Sequence, residues 1–196
     1  MPDSAGQAVY NKMQHFYQKI ATWPESNPLK LFSFIISKSK EGQFVEIGSW
    51  MGCSAVCMAV EIINSNKPIK LHCVDHWKGS PEHQKKYPPE FFDSLLNKFK
   101  KNINPVQSII EIHQMESTQA SKLFEDNSLQ FVYIDANHSY ESVTQDILHW
   151  LPKVKCGGFI GGDDFNLKTV RKSVEDNLLG FNTIGEYWFF HKLKIH

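Results

Sequence analysis

The hydrophobic pattern of this chain alternates between short apolar runs and segments in which apolar residues recur at helical spacing. The runs have the length of buried strands, and the longer segments have the repeat of amphipathic helices. The predicted strands cover residues 44–47, 70–74, 108–113, 129–134 and 158–161. The predicted helices between and after them cover residues 53–64, 89–102, 118–124, 141–151 and 168–178. Strands that alternate with helices in this way predict a parallel α/β sheet.

Both ends of the chain depart from this alternation. Residues 181–184 and 188–193 form a pattern of two strands joined by a hairpin-like turn at Gly185, with no helix between them. They predict one antiparallel member in a sheet that right-handed crossovers make doubly wound. At the other end, helical patterns over residues 5–21 and 29–39 predict an N-terminal helical cap.

Length and composition favour one folded domain that is not built for polyanions. The 196 residues suffice for a single domain, divided into the cap at 1–40 and a core at 41–196. The 21 basic residues balance 21 acidic ones, so we expect no nucleic-acid or membrane partner. No run approaches the roughly 20 apolar residues of a membrane span. The start of the chain lacks a signal-peptide pattern and no cysteines form a C-x-x-C pair, which predicts a cytoplasmic protein with reduced thiols.

Acidic residues stand at the ends of the fourth and fifth predicted strands. Asp135 directly follows the fourth strand and is followed three residues later by His138, whereas Asp163 and Asp164 follow the fifth. The carboxyl ends of parallel strands face one crevice, so these side chains are expected to converge there. Three carboxylates repel one another unless a cation lies between them, which indicates a hard metal ion. The alternative, in which each Asp only caps a helix or forms a turn, stays open at this point.

The turn after the first strand has the composition of a ligand-binding loop. Gly48 and Gly52 enclose it, and glycines let the backbone approach a ligand closely. The next helix begins here, and Ser54 in its first turn adds a hydroxyl to backbone N–H groups that favour an anion. Glu46, at the strand end, suits an ammonium group and would repel a pyrophosphate. The turn therefore fits an amino-acid ligand, with a plain strand–helix connection as the alternative.

Asp75 ends the second predicted strand. An acid in this place commonly binds the two hydroxyls of a ribose, although it can also cap the following segment. An amino-acid site beside a ribose site describes S-adenosylmethionine. The dinucleotide pattern G-x-G-x-x-G and the P-loop lysine are both missing from the turn after the first strand.

From about Phe44 to its end, the chain resembles the class I S-adenosylmethionine-dependent methyltransferases. The stretch 46–59, which reads E-I-G-S-W-M-G-C-S-A-V-C-M-A, is similar to the cofactor motif of the metal-dependent O-methyltransferases of the catechol, caffeoyl-CoA and macrocin types. The resemblance implies a Rossmann-like, seven-stranded sheet with helices on both faces. It also implies S-adenosylmethionine and Mg²⁺ (or another divalent cation) as cofactors, a small-molecule hydroxyl acceptor, and a homodimer, since this family often forms dimers.

The resemblance also implies roles for residues at the strand ends. The implied cofactor-binding residues, from the methionine end to the adenine end, are Glu46, Gly48, Ser49, Trp50, Gly52, Ser54, Asp135, Asp75, Met115, Glu116 and Ser117. The implied metal ligands are Asp135, Asp163 and Asp164. Asp135 and His138 are the implied catalytic residues, with His138 as the general base.

Two departures from the catechol-type pattern leave the acceptor open. The acid pair is Asp-Asp, as in the sugar methyltransferases, where catechol-type enzymes have Asp-Asn. The segment 77–92 is long, and its polar part at 78–89 is predicted to be a loop that contributes to a lid. A sugar, a phenol and a vicinal diol all remain candidate acceptors.

Two other classes of protein also stay open, an NAD(P)-dependent oxidoreductase and a non-catalytic nucleotide-binding protein. The missing G-x-G-x-x-G counts against the first, and the complete acid and histidine set against the second.

Overall fold

The computed structural model describes residues 12–20 and 27–193, and its centre is a seven-stranded sheet. The strands are β1 (Gly42–Ile47), β2 (Ile69–Asp75), β3 (Ile110–Gln114), β4 (Leu129–Ile134), β5 (Val154–Gly162), β6 (Asn182–Ile184) and β7 (Tyr187–His191). Their order across the sheet is β3-β2-β1-β4-β5-β7-β6. The first five strands are parallel, and β7 is antiparallel to both of its neighbours. The predicted doubly wound, mostly parallel sheet with one antiparallel strand is confirmed.

Helices cover both faces of this sheet, as predicted. They are α1 (Leu29–Lys38), α2 (Cys53–Ser65), α3 (Pro81–Lys86), α4 (Pro89–Asp93), α5 (Leu95–Ile103), α6 (Ser117–Ala120), α7 (Tyr140–Trp150) and α8 (Lys168–Asn177). Three short 3₁₀ turns occupy Tyr17–Lys19, Asn104–Ile109 and Ser121–Leu123. Among the described residues, no helix is both long and apolar enough to cross a membrane.

Alternate residues of the strands pack into two core layers, one on each face of the sheet. In β1, Phe44 packs into the layer under α1, α2 and α5, whereas Val45 and Ile47 pack into the layer under α6, α7 and α8. This division follows from the period of two along a strand, and it explains why β4 and the second half of β1 are buried on both faces. Trp150 and Trp188 are the largest fully buried side chains of the second layer.

The strand order reverses between β1 and β4, and this position fixes where a ligand can bind. β2 and β3 lie on one side of β1, and β4, β5 and the last two strands on the other. Ile47 and Ile134, the last residues of β1 and β4, are register partners, so the two strands end level with each other. A crevice outside the carboxyl ends of the strands is the expected ligand site in such a sheet.

The first predicted helix is wrong where the structure describes it. Within residues 12–20 only the 3₁₀ turn Tyr17–Lys19 is helical, and residues 5–11 and 21 lie outside the described part. The backbone of Met13 is bonded to the side chain of Asn64, donating to Oδ1 at 2.7 Å and accepting from Nδ2 at 2.9 Å. Since α2 satisfies these backbone groups, this part of the cap needs no helical hydrogen bonds of its own.

The predicted loop at 78–89 is also wrong, because it contains α3. The side chain of Ser80 caps this helix by accepting from the backbone N–H of His83, and the His83 side chain accepts from the Ser80 N–H. This reciprocal cap, with Pro81 in the first turn, starts a helix in a segment whose prolines and polar residues are typical of loops.

Two boundaries of other predicted elements also differ from the prediction. The predicted helix 89–102 breaks at Ser94, and the third strand begins only at Ile110, after a 3₁₀ turn.

Candidate active site

The turn after β1 passes very close to the end of β4. Gly48 has φ +89°, and a Cβ added there would lie 2.0 Å from the backbone oxygen of Asp135. Its N–H donates to the carbonyl of Val74 at the end of β2. Gly52 also has φ +89° and precedes α2, where a Cβ would lie 3.0 Å from the ring of Phe99. The two glycines therefore let the turn pack between neighbouring strand ends and against α5.

Asp75 holds this turn in place. Its Oδ2 accepts from the Trp50 N–H at 2.8 Å, and its Oδ1 accepts from the Trp77 N–H at 2.6 Å. Trp50 and Trp77 both have positive φ angles, and the Trp77 indole N–H donates to the Trp50 carbonyl. A carboxylate offers about four lone-pair positions, so Asp75 can bind the backbone and still accept from ligand hydroxyls. The capping role and the ribose role are therefore compatible in this residue.

A cleft of about 260 Å³ opens at the ends of β1 to β4, as the strand order predicts. The predicted cofactor residues that line it are Gly48, Trp50, Asp75, Met115, Glu116, Ser117 and Asp135. Glu46, Ser49 and Ser54 are buried and are not among its lining residues, and neither is Gly52. The cleft is also lined by Gly79, Ser80, Pro81 and His83, and the ring of His83 stacks on Trp50 at 4.0 Å.

Glu46 is completely buried in β1. Neither of its carboxyl oxygens forms a hydrogen bond with a described residue. Burial raises the pKa of Glu46 to about 7, although the nearby hydroxyls of Ser49 and Ser54 act to lower it. A buried carboxyl group without a partner is costly, so this position favours a positively charged neighbour.

Asp146 is a buried acid of the cleft that the sequence reading missed. It lies on α7, lines the cleft, and is 5% exposed. Its Oδ1 accepts from the Ser117 hydroxyl, which in turn accepts from the Trp150 indole N–H at 2.8 Å. Burial raises the pKa of Asp146 to about 6. Helical spacing places Asp146 on the same face of α7 as Val143, Ile147 and Trp150, but that spacing alone does not reveal the Ser117 partner that allows an acid to be buried there.

The predicted acids and His138 meet at the ends of β4 and β5. Ligand atoms of Asp135, His138 and Asp164 lie within 4.8 Å of one another, and His138 Nε2 is 2.9 Å from Asp164 Oδ2. Asp163 lines the same small cavity of about 10 Å³, but its Oδ1 accepts from the Asp164 N–H at 2.7 Å. Such a volume holds about one water-sized group. The structure therefore brings the predicted set together, with Asp163 outside the closest trio.

The carboxyl groups at this cavity are buried close to one another, which disfavours their ionised forms. Burial and the charges of Asp163 and Asp164 hold the pKa of Asp135 well above its ordinary range, and burial raises the pKa of Asp163 to about 7. Burial lowers the pKa of His138, but its hydrogen bond to Asp164 and the charges of Asp164 and Glu82 outweigh this and raise it. Oxygen-rich donors with raised pKa values fit a hard divalent cation, which would lower those pKa values.

The comparison with known families decides the class of the protein. Residues 45–165, more than half of the chain, match the family model described as a methyltransferase domain. The chain belongs to this methyltransferase family. The resemblance to class I S-adenosylmethionine-dependent methyltransferases is thereby confirmed, and the protein is an enzyme that uses this methyl donor. Of the classes left open by the sequence, the oxidoreductase and the non-catalytic binding protein are not supported.

Solved structures of O-methyltransferases share the fold of this methyltransferase. The O-methyltransferase NovP matches with a TM-score of 0.66 at 14% identity, over 85% of this chain and 79% of NovP. TomG from Streptomyces achromogenes, an O-methyltransferase of tomaymycin synthesis solved with S-adenosylmethionine, matches with 0.62 at 13% identity, over 89% and 82%. An S-adenosylmethionine-dependent O-methyltransferase from Thermotoga maritima matches with 0.56 at 10% identity, over 90% and 68%. No curated protein matches the sequence.

Proposed function

We propose that the protein transfers a methyl group from S-adenosylmethionine to a hydroxyl oxygen of a small molecule, with Mg²⁺ or another divalent cation and with His138 as general base. One observation carries this proposal. Asp135 lines both the 260 Å³ cleft and the small acidic cavity beside it. Ala136 and Asn137 also line both, so a methyl donor in the cleft and an acceptor at the acids would face each other across this short segment.

The residues of the cleft support a definite orientation of the cofactor. Asp75 would bind the ribose hydroxyls, since it lines the cleft and two backbone N–H groups hold its carboxylate in place. Met115, Glu116 and Ser117, with Asp146, form the end expected to hold adenine. The unpaired carboxyl group of Glu46 favours the ammonium group of the methionine end. The roles of Ser49, Gly52 and Ser54 at that end stay predictions.

The acidic cavity supports a metal site of oxygen donors. Asp135, Asp164 and, after a side-chain rotation, Asp163 would hold the cation. When bound, such a cation lowers the pKa of a coordinated hydroxyl group and fixes its position. Two adjacent oxygens on the acceptor would bind more tightly than one, which favours a vicinal diol or a catechol. A sugar hydroxyl or a simple phenol is the weaker alternative.

His138 is the group that takes the proton. Its Nε2 contacts Asp164 in this structure, and it would be free to accept a proton if Asp164 held a cation instead. Its Nδ1 lies 3.7 Å from Glu82 on α3, which helps to orient the ring. The hydroxyl oxygen attacks the methyl carbon, the carbon–sulfur bond breaks, and sulfur keeps the electron pair, while the proton moves to Nε2. Orientation of oxygen, carbon and sulfur in line supplies much of the remaining effect.

A labelled-methyl assay tests this proposal. The enzyme is incubated with methyl-labelled S-adenosylmethionine and a panel of catechols, simple phenols and sugars, with Mg²⁺ or with EDTA. We expect transfer to diol-containing acceptors that EDTA abolishes and Mg²⁺ restores. His138→Ala should lose at least about 100-fold in kcat, in the range of a lost general base, whereas exposed His149→Ala should not. Full transfer in EDTA would refute the requirement for a metal ion. Full activity of His138→Ala would refute the role of His138 as general base.

The remaining expectations about partners stay predictions. These are the absence of nucleic-acid and membrane partners, the cytoplasmic location and the homodimer. Size-exclusion chromatography with light scattering would decide the oligomeric state of the purified enzyme.

A further inference from the structure

A second group of metal-ligand side chains lies on β2 and β3. His72 of β2 is the register partner of Glu111 of β3, and Val74 is the partner of His113. Because residues two apart on a strand face the same side, His72, Glu111 and His113 share one face of the sheet. Their ligand atoms all lie within 4.8 Å of one another. His72 and His113 are buried or nearly so, and Glu111 is half-exposed.

The spacing of the three donors is close to that around a tetrahedral ion. His72 Nδ1 and His113 Nε2 are 3.0 Å apart. Glu111 Oε1 is 3.6 Å from His113 Nε2, and its Oε2 is 4.0 Å from His72 Nδ1. Ligands at the usual zinc distance and a tetrahedral angle lie about 3.3–3.4 Å apart. Shifts of less than about 1 Å would therefore bring all three onto one ion.

The two imidazoles have the protonation state that a metal requires. Burial lowers the pKa of His72 to about 4 and also lowers the pKa of His113. Both rings are therefore neutral at pH 7, so a metal ion can bind them without first displacing the extra proton of an imidazolium. In the absence of metal, the two facing nitrogens share one N–H, with the tautomer left to the local environment. A cation would replace that hydrogen bond, and the ring that donates it would move its proton to its far nitrogen, where the other ring already carries its own.

Neighbouring residues hold the two imidazole rings in place, and one of them, Lys70, competes with a metal ion for Glu111. The ring of Phe124 contacts His72 and His113 at centroid distances of 5.1 Å and 6.0 Å, and both backbones are held in the sheet. Lys70 Nζ lies 2.5 Å from Glu111 Oε2 and would have to give up this ion pair. The Lys70 side chain is 55% exposed, so its ammonium group can turn into water. The far nitrogen of His72, Nε2, is buried without a partner among the described residues, which weakens a site that would place a proton there.

We propose that His72, Glu111 and His113 bind a divalent cation of the borderline class, Zn²⁺ above all. Two imidazoles and one carboxylate suit Zn²⁺ and leave a fourth position for water, whereas Mg²⁺ prefers oxygen donors. The ion would join edge strand β3 to β2. His72 and His113 precede the cleft residues Asp75 and Met115 by about 10 Å and 7 Å of strand. The site is separate from the acids around Asp164, and it does not rest on methyl transfer.

Titration of the metal-free, full-length protein with Zn²⁺ tests the proposal, with excess Mg²⁺ present to occupy the oxygen site. We expect one tight Zn²⁺ per chain and a higher Tm with Zn²⁺. Glu111→Gln and His113→Gln should each weaken binding by at least about 10-fold. His149→Gln, an exposed histidine on α7, is the matched control and should bind like the wild type.

Co²⁺ substitution locates the ion. Four-coordinate Co²⁺ with nitrogen ligands absorbs visible light strongly, and octahedral Co²⁺ with oxygen ligands absorbs weakly. We expect a strong spectrum that survives Asp164→Asn and disappears in His113→Gln. Should His113→Gln fail to fold by circular dichroism, half-exposed Glu111→Gln carries the same test. The proposal is overturned if no Zn²⁺ binds under these conditions, or if Asp164→Asn removes the ion while Glu111→Gln and His113→Gln retain it.

Discussion

Asp146→Asn should make the cofactor-free enzyme more stable at neutral and alkaline pH. Burial raises the pKa of Asp146 from 3.8 to about 6, so folding disfavours its ionised form. Between about pH 4 and pH 6 the folded chain binds more protons at this residue than the unfolded chain does, and stability therefore falls as pH rises. Above pH 6 the full penalty is present. With about 1.4 kcal/mol per unit of pKa, it amounts to about 3 kcal/mol.

An amide removes this penalty and keeps the local hydrogen bond. The Asn oxygen can still accept from the Ser117 hydroxyl, so the contact to Trp150 survives. We expect Asp146→Asn to raise the free energy of unfolding by about 1–3 kcal/mol at pH 8, which corresponds to about 2–4 °C in Tm per kcal/mol. At pH 4 the difference should approach zero.

Urea unfolding followed by tryptophan fluorescence at pH 4, 6 and 8 measures this effect. Asp93→Asn, at an exposed position on α4, is the control and should stay within about 0.5 kcal/mol of the wild type at each pH. A variant that is no more stable than the wild type at pH 8, or a gain that is the same at every pH, would refute the reasoning about a buried, raised-pKa carboxyl group.

Three further predictions concern the cofactor cleft. Asp146→Asn should bind S-adenosylmethionine about 10-fold or more weakly by calorimetry, because an N–H replaces a carboxylate oxygen facing the adenine end; unchanged affinity would place Asp146 outside the ligand's reach. Gly48→Ala should unfold the protein or cost several kcal/mol more than Gly180→Ala, which shares a positive φ but meets nothing within 4 Å; equal urea midpoints would disprove the close approach. Asp75→Asn can accept from only one of two N–H donors, so it should lose about 1–3 kcal/mol of stability; wild-type unfolding would show that the turn needs no carboxylate.

The sequence was sufficient for the parts of the site that are local in the chain. The apolar run before Asp135 and the one before Asp163 each mark a strand and its end, and parallel strands with level ends bring such residues together. The turn after β1 could be recognised because Gly48 and Gly52 stand at fixed distances from a strand and a helix. Each of these features depends on residues that are close in sequence.

Features that depend on distant partners could not be read from the chain. Asp146 is stabilised by Ser117, 29 positions away, so its burial became visible only in the fold. The region around Met13 is not helical because the side chain of Asn64 binds its backbone. The helix α3 was missed for a different reason: its cap between Ser80 and His83 is local, but it lies within a segment whose composition is typical of a loop. The pair His72 and His113 meets only through the register of β2 and β3.

The adjacency of metal and methyl donor is the central claim, and paramagnetic relaxation measures it directly. Mn²⁺ is added in place of Mg²⁺ to the enzyme saturated with methyl-¹³C-labelled S-adenosylmethionine, and the methyl resonance is followed by NMR. We expect strong Mn²⁺-dependent broadening, because Asp135 borders both the cleft and the acidic cavity. The broadening should disappear with excess Mg²⁺. It should also disappear in Asp164→Asn, which we expect to bind S-adenosylmethionine as tightly as the wild type does. A bound cofactor whose methyl resonance is unaffected by Mn²⁺ would contradict the proposed site.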